Sequence, residues 1–464
     1  MQTGRLRPPG WHGELKATAA LACPLALANL LQMLTYAIDV MFIARLGPQE
    51  LAASALAIAL FGLIVWSLQA LTGAVAPIMA AEIGRRAPAL RPVRRAVRMA
   101  LWLSVLVSAI GMAACLLIGP LARITGQDPA ITALATQYMA VLVLSLPPML
   151  VAGIQRNFVA TLGRPMLATW ITAIGIGINA LANYAFIFGN LGAPALGLQG
   201  AALATLATSL AIVAMYAIVI RRDDRMHRYR IMGFFWRPDW SRLGQIVRIG
   251  TPIAVTVLAE AGVFGAAAFL MGRIGALELA AHTLAINLAA FAFQVPFGIG
   301  QAATIRVGYF YGAGDRDGMG RAGWMCIALG TGFMVLTGLA MLTAPELLLS
   351  AYIDTGDPDN AALLASASSL LLIAAAFQLS DGVQAVAAGA LRGLQDTRTP
   401  MLIAIFAYWV PGFGLAAWLG LATPLREQGV WLGLAAGLSV AAGLLLWRWA
   451  WRDRSGLTAP TDTG

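Results

Sequence analysis

Apolar residues run along this chain in long stretches, broken by short segments rich in Gly, Pro and Arg. A helix needs about 20 apolar residues to cross a hydrocarbon core roughly 30 Å thick. The stretches predict helices over 17–45, 51–79, 94–119, 131–157, 163–189, 197–220, 245–271, 277–303, 321–344, 361–389, 399–420 and 427–450. None alternates in segments of about ten residues, as barrel strands do, so the spans are expected to be helical. Composition agrees: of 464 residues 59% are apolar and 11% charged, with mean hydropathy +0.77. Soluble domains average about 45–50% and about 25%. The expected fold class is an all-α integral membrane protein with twelve transmembrane helices.

The net charge is +10, which could indicate nucleic acid, but the basic residues sit in the short segments between spans. With a cytoplasmic N-terminus, the inside segments hold 27 of the 31 basic residues, including Arg156 and Arg164, and the outside segments keep Arg45, Arg123, Arg273 and Arg426. This asymmetry predicts both termini in the cytoplasm, and no nucleic-acid partner. The first apolar run continues past signal-peptide length and is expected to stay uncleaved. Arg outnumbering Lys, with abundant Ala and Gly, points to a bacterial cytoplasmic (inner) membrane. Cys23, Cys115 and Cys326 lie in apolar runs at unrelated spacings, the pattern of small buried side chains, with no disulfide framework or metal set.

The longest polar segment, RRDDRMHRYRIMGFFWRPDWSR, begins at Arg221. It divides the chain into an amino-terminal six-helix lobe (1–220), a cytoplasmic linker (221–244) that touches anionic lipid head groups, and a carboxy-terminal six-helix lobe (245–464). The halves are alike. At an offset of 228 residues ARLGPQELAASALA, from Ala44, matches GRIGALELAAHTLA, from Gly272, and Pro24 matches Pro252. The turn at 155–166 echoes that at 390–401, and Gln199-Gly200 echoes Gln428-Gly429. Three echoes in order indicate duplication. Units with an even number of helices insert in the same orientation, so the expected lobes are pseudo-symmetric about an axis along the membrane normal, the plan of parallel-repeat transporters.

Three acids lie well inside predicted helices: Asp39, Glu260 and Asp381. A charge there costs at least about 2.5–3.5 kcal/mol, so each should face a polar cavity, be protonated, or have a partner. The repeat places Gln32 opposite Glu260 and Ala267 opposite Asp39, so the duplicated scaffold does not require these acids. Asn29, Gln32, Tyr36 and Asp39 share one helix face, as do Gln378, Asp381 and Gln384. Helix 5 carries Asn179 and Asn183, helix 6 Thr205 and Thr208, and helix 8 Asn287, Gln294 and Gln301. Such faces either hold helices together or line a path. If helices 1 and 5 are neighbours, Asp39, Asn179 and Asn183 offer hard oxygens to Na⁺ or a proton. Tyr36 and Phe291 could give cation–π contact within a cavity. No nucleotide loop or HExxH motif occurs, so no enzyme or ATP-driven pump is expected; energy must come from a gradient.

These motifs resemble the multidrug and toxic compound extrusion (MATE) family over nearly the whole length. The similar stretches are TPIAVTVLAEAGVF with Glu260, QAATIRVGYFYGAGD at 301–315, SDGVQAVAAGALRGLQDTRTPM with Asp381, IDVMFIARLG with Asp39, INALANYAFIFG with Asn179 and Asn183, and PALGLQGAALAT at 194–205. The acids on helices 1, 7 and 10 look closest to the NorM-like branch. The resemblance implies secondary active export of cationic lipophilic compounds in exchange for Na⁺ or H⁺, with no other cofactor, by a chain taken as monomeric. It implies ion or proton coupling at Asp39, Asn179, Asn183, Glu260 and Asp381, and bending of helix 1 at Pro24. Gln32, Tyr36, Asn287, Phe291, Gln294 and Gln384 are the expected substrate-cavity residues. A lipid-linked oligosaccharide flippase of the same superfamily is the alternative, although it calls for a strongly basic cavity. A lipid-acting membrane enzyme and a channel are the readings from other classes.

Overall fold

The computed structural model describes residues 10–85, 88–233 and 235–458. Among them are twelve helices long and apolar enough to cross a membrane: α1 Trp11–Ala44, α2 Pro48–Arg85, α3 Leu90–Ile124, α4 Pro129–Thr161, α5 Pro165–Phe188, α6 Leu198–Arg222, α7 Trp240–Ile274, α8 Ala276–Ala313, α9 Arg316–Thr343, α10 Pro358–Gly393, α11 Arg398–Ala422 and α12 Arg426–Ala450. The chain is thus the all-α integral membrane protein its apolar runs predict. Helices α2 and α8 both begin and end 228 residues apart, the offset of the sequence repeat. Arg5, Arg7 and Arg86, counted among the inside charges, lie outside the described residues.

The described chain forms two compact units. Unit 1 holds the chain up to Ala26, a short stretch starting at Gly84, and everything from Val255 onward; unit 2 holds Leu27–Ile83 and Pro88–Ala254. Both long boundaries fall two residues after a proline inside a helix, Pro24 in α1 and Pro252 in α7. Proline removes a backbone hydrogen bond and marks a joint in the helix. This division differs from a cut through 221–244: the opening turns of α1 belong with the second half of the chain, and the linker with the opening turns of α7 belongs with the first.

The exchanged segments are anchored by apolar packing and by an ion pair. In unit 2, Ile246, Ile249 and Ile253 on one face of α7 are buried in a core with Val93, Val97, Phe158 and Tyr216, and Arg242 Nη2 is 2.6 Å from Glu82 at the end of α2. In unit 1, Glu14 on α1 accepts from Arg306 Nε (2.9 Å) and Nη2 (2.5 Å) on α8 and from Thr18 Oγ1 (3.2 Å). Glu14 and Arg242 stand 228 residues apart, so matching positions carry opposite charges, and each meets its opposite on the matching helix.

The linker is bound to unit 2. Arg94 Nε donates to the Tyr229 carbonyl (2.8 Å), Trp102 Nε1 to the Phe235 carbonyl (3.0 Å), and Arg95 Nε to Asp239 Oδ2 (2.5 Å). Burial pushes the Asp239 carboxyl up, but the bonds and charges of Arg95 and Arg242 outweigh it and hold the group below the usual carboxylate range.

Candidate functional site

In unit 2, α1 and α5 are neighbours, which brings Asp39, Asn179 and Asn183 together. Asn183 Nδ2 donates to Asp39 Oδ1 at 2.6 Å and to Asn179 Oδ1 at 3.1 Å. The two asparagines lie one helical turn apart on the buried face of α5, and Asn183 Oδ1 has no hydrogen-bond partner among the described residues. An amide oxygen left bare in a membrane interior is costly, and here it belongs to the same amide that donates to the Asp39 carboxylate on α1.

Asp39 opens onto a cavity of about 130 Å³, lined among others by Gln32, Tyr36, Asn179, Thr205 and Arg156. Thr205 and Thr208 donate back to carbonyls of their own helix, Ala201 (3.1 Å) and Ala204 (2.7 Å), so they present methyl groups and acceptor oxygens to the cavity. Of the six residues read as cavity-lining, Gln32 and Tyr36 line this one. Arg156, counted in the sequence as a cytoplasmic charge, lies within α4 and donates to Gln32 Oε1 at 3.4 Å.

Unit 1 gathers Glu260 on α7 and Asp381 on α10 within Coulombic reach of each other, with Arg392 and Tyr408 beside Glu260. Gln384 donates through Nε2 to the Tyr408 hydroxyl. Tyr408 opens a π-helical turn, Tyr408–Phe413, that contains Pro411; such turns widen the helix and recur at functional sites. Gln378 Oε1 accepts from Thr337 (2.7 Å), whereas Asp381 Oδ1 lacks a hydrogen-bond partner among the described residues. On α8, Asn287 and Phe291 are exposed, and Gln294 bonds to the Ala290 carbonyl (3.2 Å). None of these three is hydrogen-bonded to Glu260 or Asp381. His282 accepts from the Trp431 indole (3.1 Å), a packing role.

Arg156, Arg392 and Tyr408 are the side chains that residue patterns missed. Both arginines stand near the ends of their apolar runs, where a basic residue reads as a topology signal. Pro411 in the middle of a predicted helix was the available sign of the π-turn.

The chain matches the MatE family profile over residues 24–185 and 252–418. The two matched segments begin at the paired prolines. A probable multidrug resistance protein NorM of Mesorhizobium japonicum is 44% identical over 445 residues, covering 96% of this chain and 95% of that protein. The multidrug resistance protein NorM of Burkholderia vietnamiensis is 38% identical over 458 residues, covering 98% and 97%. The crystal structure of the eukaryotic MATE transporter AtDTX14 has the same fold, with a TM-score of 0.86 at 18% identity over 97% of this chain and 99% of that one.

Proposed function

The chain belongs to the MatE family, and from that membership we propose that it is a secondary active multidrug efflux antiporter, exporting cationic lipophilic compounds in exchange for Na⁺ or H⁺. It is a transporter, not an enzyme. The observation that carries the reading is a carboxylate, Asp39, in the wall of a cavity with polar lining residues, held by a buried amide that also leaves an oxygen free. Two cations compete for that carboxylate. When Na⁺ or a proton neutralises it in the outward-open state, a cationic compound loses its counter-charge and leaves; release of the ion inside restores the charge. Differential affinity between the two states drives the cycle.

Oxygens of Asp39, Asn179 and Asn183 fit a hard cation such as Na⁺, and the free Asn183 Oδ1 supplies a neutral ligand. Glu260 and Asp381 form a second acidic site, with Arg392 as local counter-charge. Pro24 lets α1 bend about four helical turns before Asp39. The flippase alternative requires several cations to hold a pyrophosphate; the cavity's described lining has one carboxylate and one guanidinium, which favours efflux. The protein works as a monomer in the bacterial inner membrane with both termini cytoplasmic, in contact with lipid, without nucleic acid and with no cofactor beyond the exchanged ion.

The test is ethidium efflux from proteoliposomes, with Na⁺ and pH gradients imposed separately. One gradient is expected to drive efflux, and Asp39→Asn to abolish it while the protein stays monodisperse. Undiminished export by that variant, or no export of several cationic dyes under either gradient, overturns the proposal.

A further inference from the structure

Two arginines at one end of unit 1 carry buried donors that the described chain does not satisfy. Arg321, in the second turn of α9, has no hydrogen-bond partner for Nε or Nη2 among the described residues, and Arg452, two residues past the end of α12, has none for Nε. The two belong to one packed corner: a Cβ on Gly320 would stand 2.7 Å from Arg452 Nη2, and one on Gly323 would stand 2.0 Å from the Trp449 ring. Arg452 lies over that ring, 4.6 Å from its centre, and donates through Nη1 to the Trp449 carbonyl at 3.0 Å. Its acidic partner, the exposed Asp453, is 3.9 Å away, and no acid among the described residues is ion-paired with Arg321. A basic residue that only fixes topology can stay in water, whereas a donor taken out of water needs an acceptor.

The repeat shows what acceptor this position takes. Helices α3 and α9 begin 226 residues apart, and at that offset RAVRM at 95–99 matches RAGWM at 321–325. Arg321 thus corresponds to Arg95, whose Nε meets the Asp239 carboxylate at 2.5 Å. Arg306 holds the Glu14 carboxylate with Nε and Nη2, the same edge that lacks a partner in Arg321. An oxyanion suits that edge, and in unit 1 the described chain does not bring one to it. The same helix ends carry exposed tryptophans, Trp324 one turn along α9 and Trp447 and Trp451 on α12. Such aromatics collect at the membrane–water boundary, and basic pockets between helix ends at that depth hold lipid head groups.

We propose that Arg321 and Arg452 form a binding site for the head-group phosphate of an anionic phospholipid, seated between the ends of α9 and α12. Two phosphate oxygens accept from Arg321 Nε and Nη2, as a carboxylate does from Arg306, and Arg452 Nε adds a third donor. The tryptophans favour a lipid over free phosphate. An anionic lipid is favoured over a zwitterionic one, which would bring its own cation to a corner that already holds two. The inference gives the lipid contact of the proposed function a defined place, and it does not depend on efflux.

The experiment titrates the full-length protein in detergent with phosphatidylglycerol or phosphatidylcholine of identical acyl chains and reads bound lipid by native mass spectrometry. The wild type is expected to bind the first phosphatidylglycerol about ten-fold more tightly than the first phosphatidylcholine, the worth of a charge-assisted pair. Arg321→Gln is expected to abolish the preference, Arg321→Lys to keep part of it, since it retains the charge without the planar edge, and Arg452→Gln to weaken it. Arg248→Gln, at an exposed arginine of α7 in unit 2, is expected to leave it unchanged. No preference in the wild type, an undiminished preference in Arg321→Gln, or an equal loss in Arg248→Gln overturns the site. Displacement of phosphatidylglycerol by an excess of inorganic phosphate overturns the lipid as its ligand. If Arg321→Gln does not fold, Arg452→Gln carries the test, and an undiminished preference there overturns the inference. The readout is binding, so each of these failures leaves the efflux reading standing.

Discussion

At Asp39 the chemistry turns on an amide that faces two ways. Asn183 donates its nitrogen to the carboxylate at 2.6 Å and keeps an unbonded oxygen beside it. Hydrogen bonds to charged groups contribute about 1.5–3 kcal/mol, so Asn183→Leu, which keeps the volume and removes both atoms, should slow gradient-driven ethidium efflux by about ten-fold or more. Initial rates in proteoliposomes with equal incorporation measure this. At Asp239 the prediction concerns pH. Its pKa is lower folded than unfolded, so its contribution is fully present above the unfolded value of about 3.9 and is lost as pH falls through the folded value. Asp239→Asn should therefore melt below the wild type at neutral pH, with the gap closing below about pH 4. The gap should be near 1 kcal/mol, because a half-exposed partner such as Arg95 is screened by water. Thermal unfolding in detergent across pH reads it. The carboxylates and asparagines were legible in the sequence because polar atoms stand out in apolar runs. Arg156 was not, since position along a helix does not say whether a side chain reaches the interface or turns into a cavity.

Between elements, small residues set the spacing. Gly200 on α6 lies so close to α5 that a Cβ would stand 2.2 Å from the Phe186 carbonyl oxygen; Gly429 on α12, its echo in the repeat, would place one 2.6 Å from Leu419 of α11. Close backbone approach through glycine is how helices pack where lipid supplies no hydrophobic drive. Gly200→Ala must push α5 and α6 apart and should lower stability by about 1–3 kcal/mol, whereas Gly414→Ala, with nothing within 4 Å, should not. Melting temperatures of the two variants decide. The twelve elements were readable because a spanning helix has a length that few other structures need. Their exact ends were not: α2 and α8 reach Arg85 and Ala313, beyond the expected 79 and 303. Glycines and arginines in those ends resemble loop, but Gly84 packs against the Tyr309 backbone within unit 1, which keeps both ends helical.

For the whole molecule, duplication in the sequence did not reveal that the halves exchange segments. A repeat alignment is unchanged whether the opening turns of α1 and α7 pack with their own half or with the other; only packing distinguishes the two, and it places the exchange at Pro24 and Pro252. The consequence concerns folding. A chain ending at 230 has no Arg242 to meet Glu82, and lacks Ile246, Ile249 and Ile253 from the core of unit 2. A chain beginning at 231 lacks Glu14, leaving Arg306 without its buried carboxylate, and a buried charge stripped of its partner is destabilising by about 3–5 kcal/mol. Neither half should therefore accumulate as a monodisperse species when expressed alone. Expressed together, the two should co-purify and restore gradient-driven efflux, because each supplies the segment the other needs. If residues 231–464 alone give a stable, monodisperse protein, the units are the two halves of the sequence and the exchange does not govern folding. The additional variant Glu14→Gln in the co-expressed pair separates the two explanations further: it should weaken co-purification if the exchanged turns of α1 hold the halves together, and leave it unchanged if they do not.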